Sequence, residues 1–444
     1  MDSATGLPAQ QARASFTTGY RQYVLGILVV VYVFNLIDRQ ILSMLLEPIK
    51  QDLMLSDTQL GLLSGIAFAV FYTTFGIPIA RYADKNSRVK VISWSLAAWS
   101  LMTAVCGLAQ NFWQLMLGRI GVAIGEAGAS PPSHSLISDY FAPEKRATAL
   151  GIYSLGAPIG VMIGFLAGGW LVHFFDWRTA FIVVGLPGVL MAVIVSRTVK
   201  EPPRGLSDGV QSVQEQASLK EAFLYFWSRP SFRHLTLAAG LHAFASYGIL
   251  TWLPAFLVRS HQMGMAEIGT YLALVSGIVG GIGTFAGGYI CDRFGQKDRR
   301  MYVWIPALSL IIFIPLAILS LLSDTKEGAL YFYLIPALLS PIYLGPTFSV
   351  VQGMSQLRMR AIAAAGLLFV LNLIGMGLGP MLVGVLSDFL KPELGAEALR
   401  YSLIAAVTIN LWSALHYYLA AKTLRADYDS NPDLQNAGIA ANGN

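Results

Sequence analysis

Charged residues are scarce in this sequence. Asp, Glu, Lys and Arg make up 12% of its 444 residues, whereas 55% of the residues are hydrophobic. An average soluble domain carries roughly a quarter of its residues as charges, because its surface faces water. The scarcity excludes an ordinary soluble protein and indicates a chain that lies in a membrane.

Other features are also missing. No G-x-x-x-x-G-K-[ST] loop is present to bind nucleotide phosphates, which disfavours an ATP-driven pump. No close His/Glu or Cys cluster suits a catalytic metal, so we expect no metal, no cofactor and no enzymatic activity. Short alternating strands of a β-barrel are absent too. The only cysteines, Cys106 and Cys291, fall near opposite faces of the predicted membrane and cannot pair.

What the sequence does contain is a series of long apolar segments. A helix needs roughly 20 apolar residues to cross a bilayer, and about a dozen windows meet this requirement. The sequence predicts spans near 22–45, 58–80, 89–110, 112–137, 148–173, 177–197, 233–258, 266–290, 301–323, 328–355, 361–386 and 398–421.

The distribution of basic residues predicts the orientation. With twelve spans and a cytoplasmic N-terminus, 22 of the 30 Lys and Arg residues lie on the cytoplasmic side and six on the far side, while Arg39 and Arg119 lie within spans. This asymmetry follows the positive-inside rule and disfavours nucleic-acid binding. Residues 1–19 lack the pattern of a cleaved signal peptide, so the first span is expected to remain.

One substantial polar linker divides the spans into six plus six. The sequence predicts a cytoplasmic N-terminal tail over 1–21, a six-helix bundle over 22–197, a linker over 198–232, a second six-helix bundle over 233–421 and a cytoplasmic tail over 422–444. Within the linker, Ser218 and Glu221 form a capping-box pattern that predicts a short interfacial helix. The residues from Arg425 onward are expected to be disordered.

An internal repeat supports this division. The stretch "GIPIARYADKNSRVK" follows the second span and "GGYICDRFGQKDRR" follows the eighth, so that Asp84 and Asp292 align 208 residues apart. The fifth and eleventh spans are both rich in glycine and contain one proline each. Duplicated halves with a site between them are common in secondary transporters.

These motifs carry a family resemblance. "GGYICDRFGQKDRR" resembles the G-x-x-x-D-R-x-G motif of the major facilitator superfamily, and the resemblance covers nearly the whole chain. "NLIDRQ", "GRIGVAIGEAGASPPSHSLISDYFAPEKRATAL" and "KEPPRG" are similar to the Spinster branch, which is associated with export of lysolipids and sphingosine 1-phosphate. In the first copy of the motif, Ala80, Lys85 and Ser87 depart from the usual residues, which weakens the prediction of a tight turn.

Four ionisable residues within the spans are the strongest candidates for function. At about 1.5 Å per residue, Asp38 lies roughly 22 Å from Tyr23, and Arg119 lies at a similar level on the fourth span. Glu126 follows Arg119 by two turns on the same face. Intramembrane charges usually mark transport pathways, so we expect Asp38, Arg39, Arg119 and Glu126 to couple protons and bind a substrate head group. The alternative is a fixed ion pair that only holds helices together.

Further candidates come from the motif loops and from the second half. The resemblance implies that Asp84, Arg88, Asp292 and Arg293 form a cytoplasmic gate, although they could equally be ordinary positive-inside flanks. His242 and several other polar or aromatic residues could line the cavity or form interhelical hydrogen bonds, and the cavity candidates are His134, Tyr247, Trp252, Tyr343, Gln352 and Asn372.

The glycines of the fifth and eleventh spans predict close helix packing, with bending during transport as the alternative. The fifth-span pattern resembles a motif associated with antiporters. These positions are Gly156, Pro158, Gly160, Gly164, Gly375, Gly379, Pro380 and Gly384.

The sequence therefore predicts an all-α integral membrane protein of twelve transmembrane helices in two pseudo-symmetric six-helix bundles, placed in a bacterial inner membrane with both termini cytoplasmic. We expect a monomeric, proton-coupled transporter of an amphipathic small molecule, with protons and membrane lipids as its partners and the proton gradient as its energy source. The alternatives are a transporter of a small organic anion, such as a sugar acid or dicarboxylate, and a membrane enzyme or sensor on the same fold.

Overall fold

The computed structural model describes residues 16–206, 218–431 and 433, and all regular structure in these residues is helical. Up to the linker the α-helices are α1 Thr18–Leu53, α2 Asp57–Ser64, α3 Ile66–Lys85, α4 Arg88–Cys106, α5 Phe112–Glu126, α6 Ser130–Tyr140, α7 Pro143–Ser154, α8 Gly156–Phe174 and α9 Trp177–Thr198. After it they are α10 Leu219–Trp227, α11 Pro230–His261, α12 Met265–Leu272, α13 Gly280–Gly295, α14 Met301–Leu322, α15 Lys326–Leu339, α16 Leu344–Met354, α17 Arg360–Val370, α18 Gly379–Leu394 and α19 Ala398–Asp429.

Ten helical segments within these ranges are long and apolar enough to cross a membrane. The prediction of twelve spans stands, because a search by helix length and composition does not count two of the predicted spans separately. The predicted fourth span is divided into α5 and α6, of 15 and 11 residues. The eleventh and twelfth spans run together as Leu357–Asp429 and are separated by a 3₁₀ turn at Gly395–Glu397.

Several spans are irregular inside the predicted membrane. π-helical turns occupy Ala273–Val279 and Leu371–Leu378, and a 3₁₀ turn occupies Ser340–Tyr343. The 3₁₀ turn contains Pro341, which has no amide hydrogen to continue a regular helix. Segments of this kind leave backbone carbonyls free to bind side chains of neighbouring helices.

The short helix predicted in the linker is present. It begins as expected, since the Ser218 side chain accepts a hydrogen bond of 3.1 Å from the backbone amide of Glu221. Ala222 and Phe226 are buried, whereas Phe223 and Trp227 are exposed. The helix therefore has one face packed on the protein and one apolar face outside it, as an interfacial helix requires.

The helices form two compact units. Among the described residues, the first unit contains 16–45 and 70–206, and the second contains 46–69 and 218–431. The predicted bundles divide at the linker. In the structure, α2 with the adjoining ends of α1 and α3 packs with the second unit instead.

The first unit is held together by close helix contacts through glycine. A Cβ atom on Gly160 of α8 would lie 2.7 Å from the carbonyl oxygen of Val33 in α1, and Gly156 and Gly164 approach the same helix one turn away on either side. Four-residue spacing of small residues allows such close approach. This agrees with the predicted packing role of the fifth span.

The second unit is built around a buried hydrophobic cluster. Its members come from α10, α11, α14, α16, α17 and α19 and include Val350, Leu367 and Tyr417. Gly375 and Gly379 of the eleventh span pack on α11, where added Cβ atoms would meet Ala243 and the Phe244 carbonyl. The glycines of the eleventh span thus serve helix packing as well.

The expectation of a disordered tail from Arg425 was wrong for its first residues. Helix α19 continues to Asp429 because Asp427 accepts a hydrogen bond of 2.8 Å from the backbone amide of Ser231 at the start of α11. This carboxylate thereby caps the N-terminus of α11, where the amide has no partner within its own helix. Parts of the predicted tails and linker, namely 1–15, 207–217, 432 and 434–444, lie outside the described residues.

Candidate functional site

Two helices of the first unit carry the ionisable residues predicted inside the membrane. Asp38 and Arg39 lie on α1, and Arg119 and Glu126 lie on α5. Asp38, Arg119 and Glu126 are at most 2% exposed. The structure therefore buries three of the four predicted residues, and Arg39 contacts one of these three, Glu126.

Small residues on α5 bring α4 into this region. A Cβ atom on Gly125 would lie 2.7 Å from the backbone nitrogen of Trp99, and one on Gly118 would lie equally close to the sulfur of Cys106. The two helices can approach this closely because the glycines have no side chains. Trp99 of α4 is consequently fully buried beside the charged residues.

Arg39 and Glu126 form the ion pair of the site. The guanidinium Nε of Arg39 donates to Glu126 Oε2 at 2.6 Å, and the guanidinium carbon lies 4.6 Å from the centre of the Tyr72 ring. The Arg39 side chain is 21% exposed, whereas that of Glu126 is fully buried. The pair thus joins a deeply buried acid to a base with an accessible side, and the aromatic ring adds a cation–π contact.

The carboxyl group of Asp38 is unusual. Neither of its oxygens has a hydrogen-bond partner among the described residues. The Thr103 hydroxyl and the Trp99 indole lie near it but outside hydrogen-bond geometry. Arg119 reaches the backbone carbonyl of Asp38, with Nη1 at 3.4 Å, rather than the carboxylate.

These contacts refine the predicted arrangement. Asp38 and Arg119 lie close together as expected, but the short ion pair joins Arg39 to Glu126. Burying an unpaired carboxylate is costly, whereas a neutral carboxylic acid is tolerated far better. Asp38 is therefore suited to hold a proton. Glu126 is suited to bind either a proton or the Arg39 guanidinium.

Arg88 has a role that the sequence analysis did not predict. It is 1% exposed, and it binds four groups of its own unit: the Asp139 carboxylate, Glu201 Oε1 at 2.7 Å, the Ser135 hydroxyl at 2.8 Å and the Pro202 carbonyl at 3.1 Å. Arg204 of the same "KEPPRG" stretch donates to the Ala83 carbonyl at 2.7 Å. This motif therefore fixes the end of α9 against α3, α4 and α6.

The remaining gate candidates lie at exposed helix ends. Asp84 is exposed in the first unit, and Asp292 and Arg293 are exposed in the second. Asp292 accepts a hydrogen bond of 2.8 Å from the Tyr302 hydroxyl. In the same loop, hydrogen bonds from Arg300 lower the pKa of Asp298 to about 2. Pairing of Asp84, Asp292 and Arg293 as a gate stays a prediction.

The predicted cavity-lining residues differ widely in exposure. His134 and Gln352 are exposed, and Tyr247 and Asn372 are half-buried. Trp252 is fully buried and donates from its indole nitrogen to the Pro380 carbonyl at 2.8 Å, so it packs α11 on α18 and does not line an open face.

Tyr343 is also a packing residue, since it is 8% exposed within the hydrophobic cluster of the second unit. Trp252 and Tyr343 were assigned to the cavity because aromatic side chains at helical positions look alike in a sequence, whether they face a cavity or a neighbouring helix.

The second unit contains a charged cluster that the sequence analysis missed. Arg259 of α11 binds Asp57 through two hydrogen bonds of 2.8 Å each and binds Glu47 through a third of 2.7 Å. Lys50 lies 2.5 Å from Asp57, and the Asp388 carboxylate accepts hydrogen bonds from the first two amides of α2. We call these five residues the Asp57 cluster.

The Asp57 cluster joins segments that are distant in sequence. It connects α1, α2, α11 and α18, and 202 residues separate Asp57 from Arg259. Its only local signal is the capping box of Ser56 and Gln59, which marks the start of α2. Charges at span ends look like ordinary flanks, so no spacing rule could have shown that these meet.

The fold and site define a multi-pass helical membrane protein with buried ionisable residues, the architecture of a secondary transporter. The family model of the Major Facilitator Superfamily matches residues 28–380. The chain therefore belongs to the Major Facilitator Superfamily, whose members are membrane transporters and not enzymes.

Two similar proteins match most of the chain. A crystal structure of a bacterial homologue of the human lysosomal transporter Spinster, inward-facing and unoccupied, shares 35% identity and a TM-score of 0.86, and the match covers 93% of this chain and 99% of that one. An MFS-type efflux pump of Mycolicibacterium smegmatis is 33% identical, over 90% of this chain and 93% of its own length.

A third similar protein is less alike in sequence. The hexuronate transporter of Bacillus subtilis is 27% identical over 60% of this chain and 64% of its own length.

Proposed function

We propose that this chain is a proton-coupled transporter that moves an amphipathic, lipid-like molecule of the lysolipid or sphingoid type across the inner membrane by alternating access. Both termini would lie in the cytoplasm. The likeness to a Spinster homologue over 93% of the chain supports this substrate class, and the likeness to an efflux pump supports movement out of the cell.

The observation that carries the proposal is the unequal distribution of buried charge. The first unit holds Asp38, Arg119 and Glu126 buried within its first and predicted fourth spans. Among the described Asp, Glu, Lys and Arg side chains of the second unit, Asp57, Arg229 and Asp427 are the buried ones, and all three lie near helix ends. A charged half and an apolar half suit a molecule with a head group and a hydrocarbon tail.

In this proposal, Arg39 and Arg119 attract an anionic head group while Asp38 and Glu126 carry protons. When Glu126 is protonated, its contact with Arg39 weakens, because the pair loses its Coulombic attraction. Arg39 then has a partly exposed guanidinium available for the substrate. Loss of the proton restores the ion pair and favours release.

A second candidate is proton-coupled transport of a small organic anion. The likeness to a hexuronate transporter favours it, and the same arginines would bind a carboxylate as well as a phosphate. The apolar second half would then have no hydrocarbon tail to contact.

Flux in liposomes separates the two candidates. The purified full chain is reconstituted, a pH gradient is imposed, and movement of a lysophospholipid and of a hexuronate is measured in parallel. We expect gradient-dependent lysophospholipid movement above that of protein-free liposomes, with loss in Arg39→Ala and Arg119→Ala. Hexuronate uptake without lysophospholipid movement would establish the second candidate, and no gradient effect on either solute would overturn proton coupling.

A further inference from the structure

His242 lies in the middle of α11 in the second unit and is fully buried. Its ring connects two other elements. Nδ1 lies 2.7 Å from Oδ1 of Asn410 in α19, and Nε2 lies 2.8 Å from the backbone carbonyl oxygen of Ser340. Both ring nitrogens are therefore within hydrogen-bond distance of an oxygen atom.

Both of these oxygens are acceptors. The carbonyl of Ser340 cannot donate, and the backbone amide of Leu344, which would bond to it in a regular α-helix, bonds to Pro341 instead. The amide nitrogen of Asn410 donates to the Val407 carbonyl at 3.1 Å, so the side-chain oxygen of Asn410 must face the histidine. The 3₁₀ turn thus withdraws the Leu344 amide from the Ser340 carbonyl, which keeps a lone pair for the ring beside its own i+3 hydrogen bond.

These two contacts bear on the number of protons that the His242 ring carries. A neutral imidazole has one N–H group and can satisfy one acceptor, whereas an imidazolium has two N–H groups and can satisfy both. A lone pair that faces a carbonyl oxygen in a buried region is unfavourable. We propose that His242 is a proton-binding site of the second unit, which holds the ring as an imidazolium between Asn410 and Ser340.

The surroundings of the ring contain one other titratable group in contact with it. Tyr343, from the 3₁₀ turn, lies edge-on at 4.6 Å, and α14 contributes only Phe313, at 5.9 Å. Among the described residues, no Asp, Glu, Lys or Arg side chain contacts the ring. The second proton on His242 is therefore held by the oxygen acceptors alone, against the cost of burying a cation that has no ion-pair partner.

A hydroxyl group beside the ring provides a partner for the neutral form. Ser246 Oγ lies 3.2 Å from Nε2 and 2.9 Å from Ser340 Oγ, one helical turn along α11. When Nε2 releases its proton to water, the Ser246 hydroxyl can donate to the bare nitrogen while Nδ1 keeps its bond to Asn410. The Ser340 carbonyl then loses its hydrogen bond from the ring, which weakens the contact between the 3₁₀ turn and α11.

The claim that this proton takes part in transport rests on the proton coupling proposed above, but the claim that His242 is protonated does not. The protonation state of His242 is measured directly by ¹⁵N NMR of the histidine rings in the purified full chain. The chain has six histidines, and the signals lost in His242→Gln identify this residue. We expect both ring nitrogens of His242 to carry protons at neutral pH, and a ring nitrogen without a proton would overturn the proposal.

Two further variants keep the test decisive. If His242→Gln does not fold, the other five histidines, none of which is buried, are replaced by Gln so that only His242 remains; they are His134, His173, His234, His261 and His416. In Ser246→Ala, the neutral form loses its donor, so His242 should keep its second proton to a higher pH than in the unchanged chain. An unaltered titration in Ser246→Ala would contradict the exchange of partners.

The NMR measurement needs no transport. A chain whose flux ignores the pH gradient would therefore overturn the proposed coupling without affecting the result for His242.

Discussion

Single residues determine how charge is distributed in this protein. In the first unit, one acid has a short ion pair and the other has a carboxyl group without a partner among the described residues. The two acids consequently have different surroundings, although Asp38 is adjacent in sequence to the arginine that binds Glu126. Such a difference between neighbouring carboxyl groups is the arrangement in which one can hold a proton while the other stays charged.

Asp57 is the residue whose loss should most affect the stability of the second unit. Its side chain contacts Arg259, Lys50 and Ser387 and is 2% exposed. Removing one partner of a buried ion pair leaves an uncompensated charge and costs about 3 kcal/mol or more. We expect Asp57→Ala to lower the thermal unfolding midpoint of the detergent-solubilised protein clearly.

Asp324 provides the matched control, because it is an exposed carboxylate in a loop of the same unit. Asp324→Ala should leave the midpoint nearly unchanged. Equal midpoints for Asp57→Ala and the unchanged chain would contradict the stabilising role of the Asp57 cluster.

Sequence reasoning singled out the four ionisable residues within the spans of the first unit but did not predict their pairing. The spacing of Arg119 and Glu126 is enough to place both on one face of α5. Which base binds Glu126 depends on the rotation of α1 against α5 and on side-chain conformations, and neither follows from helical spacing. The Asp57 cluster was beyond prediction for a stronger reason, since its members come from four helices with no pattern in common.

At the scale of elements, glycine contacts position the helix that carries Asp38 and Arg39. Helix α8 approaches the backbone of α1 closely at Gly160, where an added Cβ atom would lie 2.6 Å from Leu36 Cβ and 2.7 Å from the Val33 carbonyl oxygen. The backbone atom cannot move aside as a flexible side chain can. The two helices would have to separate.

We therefore expect Gly160→Ala to destabilise the protein by about 1–3 kcal/mol, the usual cost of overpacking, and to reduce transport. Gly151→Ala is the matched control, since a Cβ atom on Gly151 of α7 would meet nothing within 4 Å. Thermal unfolding and liposome flux measure both variants. A Gly160→Ala protein that matches Gly151→Ala in both would show that this close approach is not required.

The positions of the elements were largely predictable, whereas their irregularities were not. Long apolar runs predict spans because a helix must be about 20 residues long to cross a bilayer. The π-helical turns at Ala273–Val279 and Leu371–Leu378 have no local sequence rule. The 3₁₀ turn at Ser340–Tyr343 does contain Pro341, but a proline alone does not reveal that a histidine contacts the Ser340 carbonyl.

At the scale of the whole molecule, the repeat predicted two halves and the family assignment supports the twelve-helix fold. The sequence divides the chain at the linker, into bundles over 22–197 and 233–421. Packing adds that 46–69 associates with the second unit, since the Asp57 cluster and the contact of Gly61 with the Pro380 carbonyl attach α2 to α18. Contacts of this kind depend on conformation and not on chain order.

The central claim is that buried acids of the first unit couple protons to transport. It is tested most directly by comparing two fluxes in liposomes: accumulation of substrate driven by a pH gradient, and exchange of substrate at equal pH. Glu144→Gln serves as the control, because Glu144 is an exposed acid of the same unit. We predict that Asp38→Asn and Glu126→Gln lose gradient-driven accumulation but keep exchange, while Glu144→Gln keeps both. Full accumulation in both Asp38→Asn and Glu126→Gln would contradict the account and leave these residues with a structural role only.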